Sequence, residues 1–409
     1  MILAERHIIK IGTPEFKEYD FMCFLAKNMY NSALYAFRQH FFETNTLKHK
    51  FVLSKEFQEQ NQPDYRAMFV RSAQQVVSLA HQAMKSFLAL VKAKKAGELD
   101  KPVKLPKYLP KNGRQVMVYD NKAFYEKDFK EGYIRVAQTQ SRIPTHIKDL
   151  KSIQQIRLVP KGNHIVVEIL YKIPDTPLKE DNKRYAAIDL GINNLATIVS
   201  NVDKPNIVNG RPLKSINQYY NKHKAKLQAK IDKTYGTSKR KQTHREQSLT
   251  FKRNNKINDY LHKASRMIVN YLVSKDINAL FIGKNKEWKQ NTNIGKRNNQ
   301  NFVSIPFYKF IQMLQYKCTM EGITVKEIEE SYTSKCSFLD DEAIGKHEEY
   351  KGRRIKRGLF KTAERKIINA DVNGGLNILR KAVGKFDYNP IEVCSAPVVW
   401  TVGFQKLAA

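Results

Sequence analysis

Apolar positions recur at helical spacing through much of the first hundred residues. Leu34, Phe37 and Phe41 share one face, and so do Val76, Leu79, Ala83 and Phe87, so a mainly helical segment is predicted there. The second helix runs into Lys92, Lys94 and Lys95 before Gly97, and cations followed by glycine suit a helix C-terminus. The run KPVKLPKYLP from Lys101 to Pro110 breaks any further helix, because proline lacks the N–H donor and fixes φ. Beyond it the pattern changes to short β-rich runs. GYIRVA from Gly132, IQQIRLV from Ile153 and HIVVEILYKI from His164 predict strands of an all-β module. PDTPLKEDNKR, from Pro174 to Arg184, reads as a linker.

The remainder alternates strand and helix, the pattern of an α/β domain. YAAIDLG, LATIVS and NIVNG predict three short strands between Tyr185 and Gly210. A long polar helical region follows, then the buried strand NALFIG from Asn278. A helix from about Pro306 to Glu321, a strand ITVKEI from Ile323, and a helix from near Asp371 with Leu376 and Leu379 on one face complete the series.

Charge changes the picture more than any other bulk property. Lys and Arg total 72 against 39 Asp and Glu, a net +33 at pH 7. So one-signed a surface repels itself unless a polyanion neutralises it, which points to nucleic acid. Asn221 to Lys256 holds twelve Lys or Arg against two acids, and Lys351 to Lys366 holds eight against one. Their placement between candidate catalytic strands suits a nucleic-acid channel. No apolar run is long enough to span a bilayer and the N-terminus has no signal-peptide shape, so the expectation is a soluble protein with no membrane partner. A cytoplasmic, nucleoid-associated location is expected, or a nuclear one in a eukaryotic host. Cys23, Cys318, Cys336 and Cys394 form no CxxC pair, which predicts reduced thiols rather than a disulfide framework or a zinc site.

The candidate chemistry lies in carboxylates. Asp189 ends the apolar strand AAIDLG, where a buried acid costs several kcal/mol unless something compensates it. A metal ion is the natural compensation. Asp371 sits at a helix start in INADVNGGLNILRK, where an ordinary N-cap is the alternative. An acid on a first strand followed by a hairpin, and much later an acid opening a helix, is the layout of an RNase H-like fold. Such a site gathers carboxylates at one sheet edge and uses two Mg²⁺ to activate water against a phosphodiester.

Six blocks carry a resemblance: AAIDLGINNLATI around Asp189, SINQYYNKHKAKLQ from Ser215, FIGKNKEWKQ from Phe281, QNFVSIPFYKFIQMLQYKC from Gln300, EESYTSKCSFLD from Glu329 and INADVNGGLNILRKA from Ile368. In this order they resemble the TnpB proteins of bacterial insertion sequences, relatives of the type V CRISPR nucleases and the Fanzor proteins. The resemblance implies an α/β fold with all-β and helical modules: an RNase H-like (RuvC) nuclease domain at 181–409, preceded by a wedge-like β-barrel at 1–15 and 100–180 with an inserted helical recognition module at 16–99. Within the nuclease domain it implies a basic helical insertion at 211–270 and a degenerate ribbon or target-loading segment at 331–366. It further implies a guide RNA, a short target-adjacent motif in double-stranded DNA, an RNA–DNA heteroduplex held by its backbone, and cleavage with Mg²⁺, or Mn²⁺ in its place.

The sequence departs from the family in two places. Many TnpB proteins carry the second acid just after the strand that here reads LFIG, where Lys284 and Asn285 stand; Glu287 lies two residues on, beside Trp288. Rearranged members carry that Glu later, near a TS dipeptide, and here Glu329 and Glu330 precede Ser331-Tyr332-Thr333-Ser334. Successive strand residues face opposite ways, so one of the two can join the site. Parity with Ile328, together with the rearranged members, selects Glu330 and leaves Glu329 as a surface acid. The expected catalytic and metal-binding set is therefore Asp189, Glu330 and Asp371. The second departure is the zinc ribbon: only Cys336 and His347 lie in its region, too few for four-fold coordination, so no zinc is expected. Two other readings stand beside the nuclease. A guide-directed DNA-binding protein without nuclease activity follows from the missing acid at Asn285. A transposase reading DNA directly is disfavoured because nothing resembles a helix-turn-helix or a Tyr nucleophile motif.

Overall fold

The first strand arises where no strand was singled out. In ILAERHIIK, exposure alternates residue by residue through β1 (Ile2–Lys10), the period of a strand with one covered face. The protein is described by a computed structural model covering residues 1–236, 243–284, 300, 303–386, 394 and 397–403. It divides into two compact units, Met1–Pro174 and Asp175–Ala409.

In the first unit, α1 (Pro14–Thr44) opens with Thr13, whose side chain accepts from the Phe16 N–H at 3.2 Å, and closes at Asn45 in the left-handed region. The helices α2 (Lys50–Glu59), α3 (Pro63–Arg66) and α4 (Val70–Lys95) follow. Leu34 and Phe37 of α1 and Val76 of α4 are buried in one core, with Phe41, Leu79, Ala83 and Phe87 packed against it. Next come β2 (Met117–Asp120), α5 (Glu126–Lys130), the ribbon β3 (Tyr133–Ile134) with β4 (Ile143–Pro144), β5 (Ile153–Pro160) and β6 (His164–Lys172). The main sheet has the order β1-β6-β5-β2, antiparallel throughout. GYIRVA, expected as a full strand, contributes only Tyr133–Ile134 and an isolated bridge at Val136.

The second unit begins with the antiparallel strands β7 (Tyr185–Leu190), β8 (Asn194–Ser200) and β9 (Asn206–Asn209). Two long helices, α6 (Arg211–Tyr235) and α7 (His244–Ser274), lead to β10 (Ala279–Gly283), which pairs parallel to β7. After α8 (Phe307–Met320), β11 (Thr324–Ile328) pairs parallel to β10. The basic segment forms a small antiparallel sheet of β12 (Arg353–Lys356), β13 (Leu359–Lys361) and β14 (Ile367–Asn369), which leads straight into α9 (Ala370–Val383). Finally β15 (Val398–Trp400) pairs parallel to β9, an edge strand the sequence pattern did not mark. The large sheet runs β11-β10-β7-β8-β9-β15. Its first five strands in chain order therefore lie third-second-first-fourth-fifth, the RNase H-like arrangement.

Strand parity divides the core of this unit. Ala186, Ile188 and Leu190 of β7 pack with Leu261 and Ile268 of α7 and Leu314 of α8. Ala187 points to the other face, with Val199, Phe281, Leu376 and Leu379. There α9 lies close against β8, for a Cβ at Gly375 would stand 3.1 Å from Val199 Cγ1. Among the described residues, no helix is long and apolar enough to cross a membrane.

Candidate active site

Asp189 shares the parity of Ala187, so it faces α9 from the end of β7, paired with Thr197 across the hairpin. The helix yields space to it. A Cβ at Gly374 would lie 3.0 Å from Asp189 Oδ2 and 3.7 Å from Ser334 Oγ. A glycine inside a helix costs about 1 kcal/mol relative to alanine, and here it keeps room beside the carboxylate.

Asp371 is released from the ordinary role of an acid at a helix start. The cap of α9 is Asn369, whose Oδ1 accepts from the N–H groups of Asp371 at 2.9 Å and Val372 at 3.2 Å. The Asp371 carboxylate instead accepts from Asn194 Nδ2 at 2.7 Å, on β8, and lies 3.4 Å from Arg354 Nη2, on β12. The N-terminal end of the helix favours this negative charge.

Glu330 reaches the site from a turn, not from a strand. Ile328 is the last residue of β11 and pairs with Gly283 at the end of β10. A turn then starts at Glu330, whose carbonyl accepts from the Thr333 N–H at 3.1 Å and hydroxyl at 2.8 Å. Strand parity therefore does not extend to this residue. What does place it is the missing side chain at Gly283. A Cβ there would meet Glu330 Oε1 at 2.5 Å, Glu330 Cγ at 2.8 Å and Ile378 Cδ1 at 2.5 Å. Glu329 is exposed, with its carboxylate accepting from Ser331 Oγ at 2.8 Å.

The electrostatics couple these acids. Asp189 keeps part of its surface open, yet burial drives its carboxyl well above the ordinary carboxylate range, and the charges of Glu330 and then Asp371 push it the same way; Arg354 opposes them. Burial raises Glu330 to about 7. Among the described residues, no three His, Cys, Asp or Glu side chains are drawn together tightly enough to hold one ion. Like charges hold carboxylates apart, and a divalent cation between them reverses the sign of that interaction. An all-carboxylate set is the donor chemistry of Mg²⁺ or Mn²⁺, and the spaces left by Gly283 and Gly374 fit it.

Other residues singled out in the sequence lie elsewhere. Asn285, Glu287 and Trp288 fall outside the described residues. Lys284 pairs with Glu327 at 2.6 Å. Cys336 is buried with its Sγ donating to the Gly345 carbonyl at 3.6 Å, and His347 Nε2 stands 2.7 Å from the Ala343 carbonyl. The described part of the first basic stretch forms helix: Lys222, Lys226, Lys230 and Lys233 stand exposed on α6 near the exposed Tyr219. Sequence reasoning passed over Asn194, Arg354, Gly283 and Gly374. The paired glycines of VNGGLN, inside an otherwise amphipathic helix, were the one available signal; Arg354 is one cation among many.

Comparison with known proteins gives concordant matches. Residues 168–289 match the OrfB_IS605 family model, described as a probable transposase, and residues 307–378 match the Cas12f1-like TNB domain. The TnpB-like protein ORF457 of Acidianus two-tailed virus is 24% identical over 404 residues, covering 88% of this chain and 82% of its own. By these matches the chain is similar to TnpB-like proteins. Among solved structures, Cas12f1 in complex with sgRNA and target DNA is 13% identical, covering 92% of this chain and 98% of its own with a TM-score of 0.38. The mini-RNA-guided endonuclease CRISPR-Cas_phi3 is 11% identical, covering 95% and 94% with a TM-score of 0.45. Asp189 lies within the first matched segment, and Glu330 and Asp371 within the second.

Proposed function

We propose that this protein is an RNA-guided DNA endonuclease that binds a structured guide RNA, recognises a short target-adjacent motif and cuts by two-metal phosphodiester hydrolysis. The observation that carries the reading is the placement of three acids at one end of an RNase H-like sheet: Asp189 beside Gly374, Glu330 above Gly283 and Asp371 bonded to Asn194 of β8. Asp189, Glu330 and Asp371 would hold Mg²⁺ or Mn²⁺, which supplies a lowered water pKa and charge stabilisation for the leaving oxygen. Asn194 and the α9 N-terminus orient Asp371. Burial keeps Asp189 and Glu330 inclined to hold protons, so cation binding displaces them. Residues 1–15 and 100–180 act as the wedge and 16–99 as the recognition module. Residues 211–270 form the basic insertion and 331–366 the target-loading segment. Metal-dependent cutting of a plasmid library by the chain with its co-purified RNA tests the whole reading. Guide-dependent binding without cutting would instead select the nuclease-inactive alternative, which the absence of an acid at Lys284 and Asn285 favours.

Two outcomes follow for the parts. The exposed lysines of α6 are one turn apart, so they can track a phosphate backbone. Replacing Lys222, Lys226, Lys230 and Lys233 by Gln should flatten the salt dependence of nucleic-acid affinity by about 3 to 4 in log–log slope, roughly 0.7 to 0.9 per lost phosphate contact. An unchanged slope places the backbone elsewhere. Gly283→Ala should lower cutting about tenfold or more, the effect of a small misplacement in a positioned site. The added methyl meets both Glu330 and, equally close, Cδ1 of the buried Ile378, so a lower melting temperature should accompany the loss. Native cutting rates in this variant would show that the Glu330 position is immaterial.

A further inference from the structure

An acid carried on a turn needs something rigid to hold it, since connecting segments are more mobile than the elements they join. The turn beyond Glu330 is not held by the sheet. Its residues Thr333, Cys336 and Ser337 are buried, and Tyr332 adopts φ 67°, a left-handed conformation that non-glycine residues keep only where surrounding contacts enforce it. Those contacts come from α9. Asn377 Nδ2 donates to the carbonyls of Thr333 at 2.9 Å and Cys336 at 2.7 Å. Asn373 Nδ2 donates to the same Cys336 carbonyl at 2.9 Å, and its Oδ1 accepts from the Phe338 N–H at 3.0 Å. Both asparagine side chains are fully buried. Arg380 completes the set by donating to Asn377 Oδ1 at 2.8 Å and pairing with Asp341 at 3.0 Å.

Positions 373, 377 and 380 lie on one face of the helix, while Gly374 of the same helix borders Asp189 and Asp371 is held by Asn194 of β8. We infer that Asn373 and Asn377 are positioning residues: they latch the Glu330 turn to α9, so that one rigid helix sets the place of Asp371 and Glu330 together. The inference rests on the proposed role of Glu330. Leucine at either position would fill the volume but leave buried carbonyls without donors, which interiors do not tolerate. A strand-borne acid would need no such latch, because the sheet's own hydrogen bonds would place it.

The test uses the full chain with its co-purified RNA and a plasmid bearing the guide's complement. In Asn377→Ala and in Asn373→Ala, the Mn²⁺ concentration at half-maximal cutting should rise at least tenfold, with guide-directed DNA binding unchanged. Adding Glu330→Gln to Asn377→Ala should cost far less than Glu330→Gln costs alone, because both act through one carboxylate. Amide exchange over 331–338 should accelerate at least tenfold while β7 and β10 keep their protection. Additive losses, with the Mn²⁺ requirement unmoved, overturn the latch. Intact cutting in Glu330→Gln alone overturns the acid assignment instead, and exchange over 331–338 still reports on the latch. Should the alanine variants not fold, the unmodified chain decides: exchange of the Thr333 to Phe338 amides within seconds overturns the inference, and protection matching α9 supports it.

Discussion

Asp189→Ala and Asp371→Ala should each reduce cutting by about 10³-fold or more, since a metal held in place supplies several kcal/mol of transition-state stabilisation and each 1.36 kcal/mol is tenfold. Guide-directed DNA binding should change little, because phosphate contacts come from cations elsewhere on the surface. The two measurements are a cutting rate and a binding isotherm on the same target, and native-like cutting in either variant removes that residue from the chemistry. A second readout distinguishes a functional acid from a structural one. Burial and like charges raise the Asp189 carboxyl far above its ordinary value, so in cation-free buffer at neutral pH the ionised side chain opposes folding. Asp189→Asn should then melt higher than the native chain without Mg²⁺ and gain less when Mg²⁺ is added. For Glu330 the folded group binds its proton more tightly than the unfolded one. The associated stability is full below about 4.5 and is lost as pH rises from there to about 7. Melting without divalent cation should therefore fall across that window, and Glu330→Gln should lessen the fall.

The second expected result is the contrast between neighbouring acids. Glu330→Gln should lose cutting by about 10³-fold, by the same metal-ligand argument, while Glu329→Gln and Glu287→Gln should cut normally. Glu329 is exposed and tied to Ser331, so its charge has no route into the site. Because Glu330 must give up a proton near pH 7 before it can hold a cation, the Mg²⁺ requirement of the native chain should fall as pH rises from 6 to 8. Full activity in Glu330→Gln would sink the assignment; loss in Glu287→Gln instead would return the second acid to its usual place after β10.

The sequence revealed most where one residue violated its surroundings. Asp189 could be found because an acid stood at the end of an apolar run, and Asp371 because an acid opened an amphipathic helix. The order of strands and helices in the second unit was equally legible, since β7, β8 and β10 bury nearly every side chain. The edges were not. In β1 the residue types come in blocks, Ile2-Leu3-Ala4, Glu5-Arg6-His7, then Ile8-Ile9, without the alternation that marks a strand, and β15 is three residues long with two of them exposed, so neither gives a pattern that stands out from loop. Glu330 was selected partly by a strand parity that stops two residues short of it. Its placement depends on Gly283 and α9, contacts between segments far apart in the chain that no local pattern encodes. Asn194 and Arg354 escaped for the same reason.

The empty place at Gly283 also sets a rule of descent. The volume above the end of β10 admits one long side chain, either from position 283 or from position 330. A large side chain at 283 would displace Glu330, and Glu330 in its observed place requires a small residue at 283. Among relatives the two positions should therefore change as a pair, a large residue at one accompanied by a small one at the other.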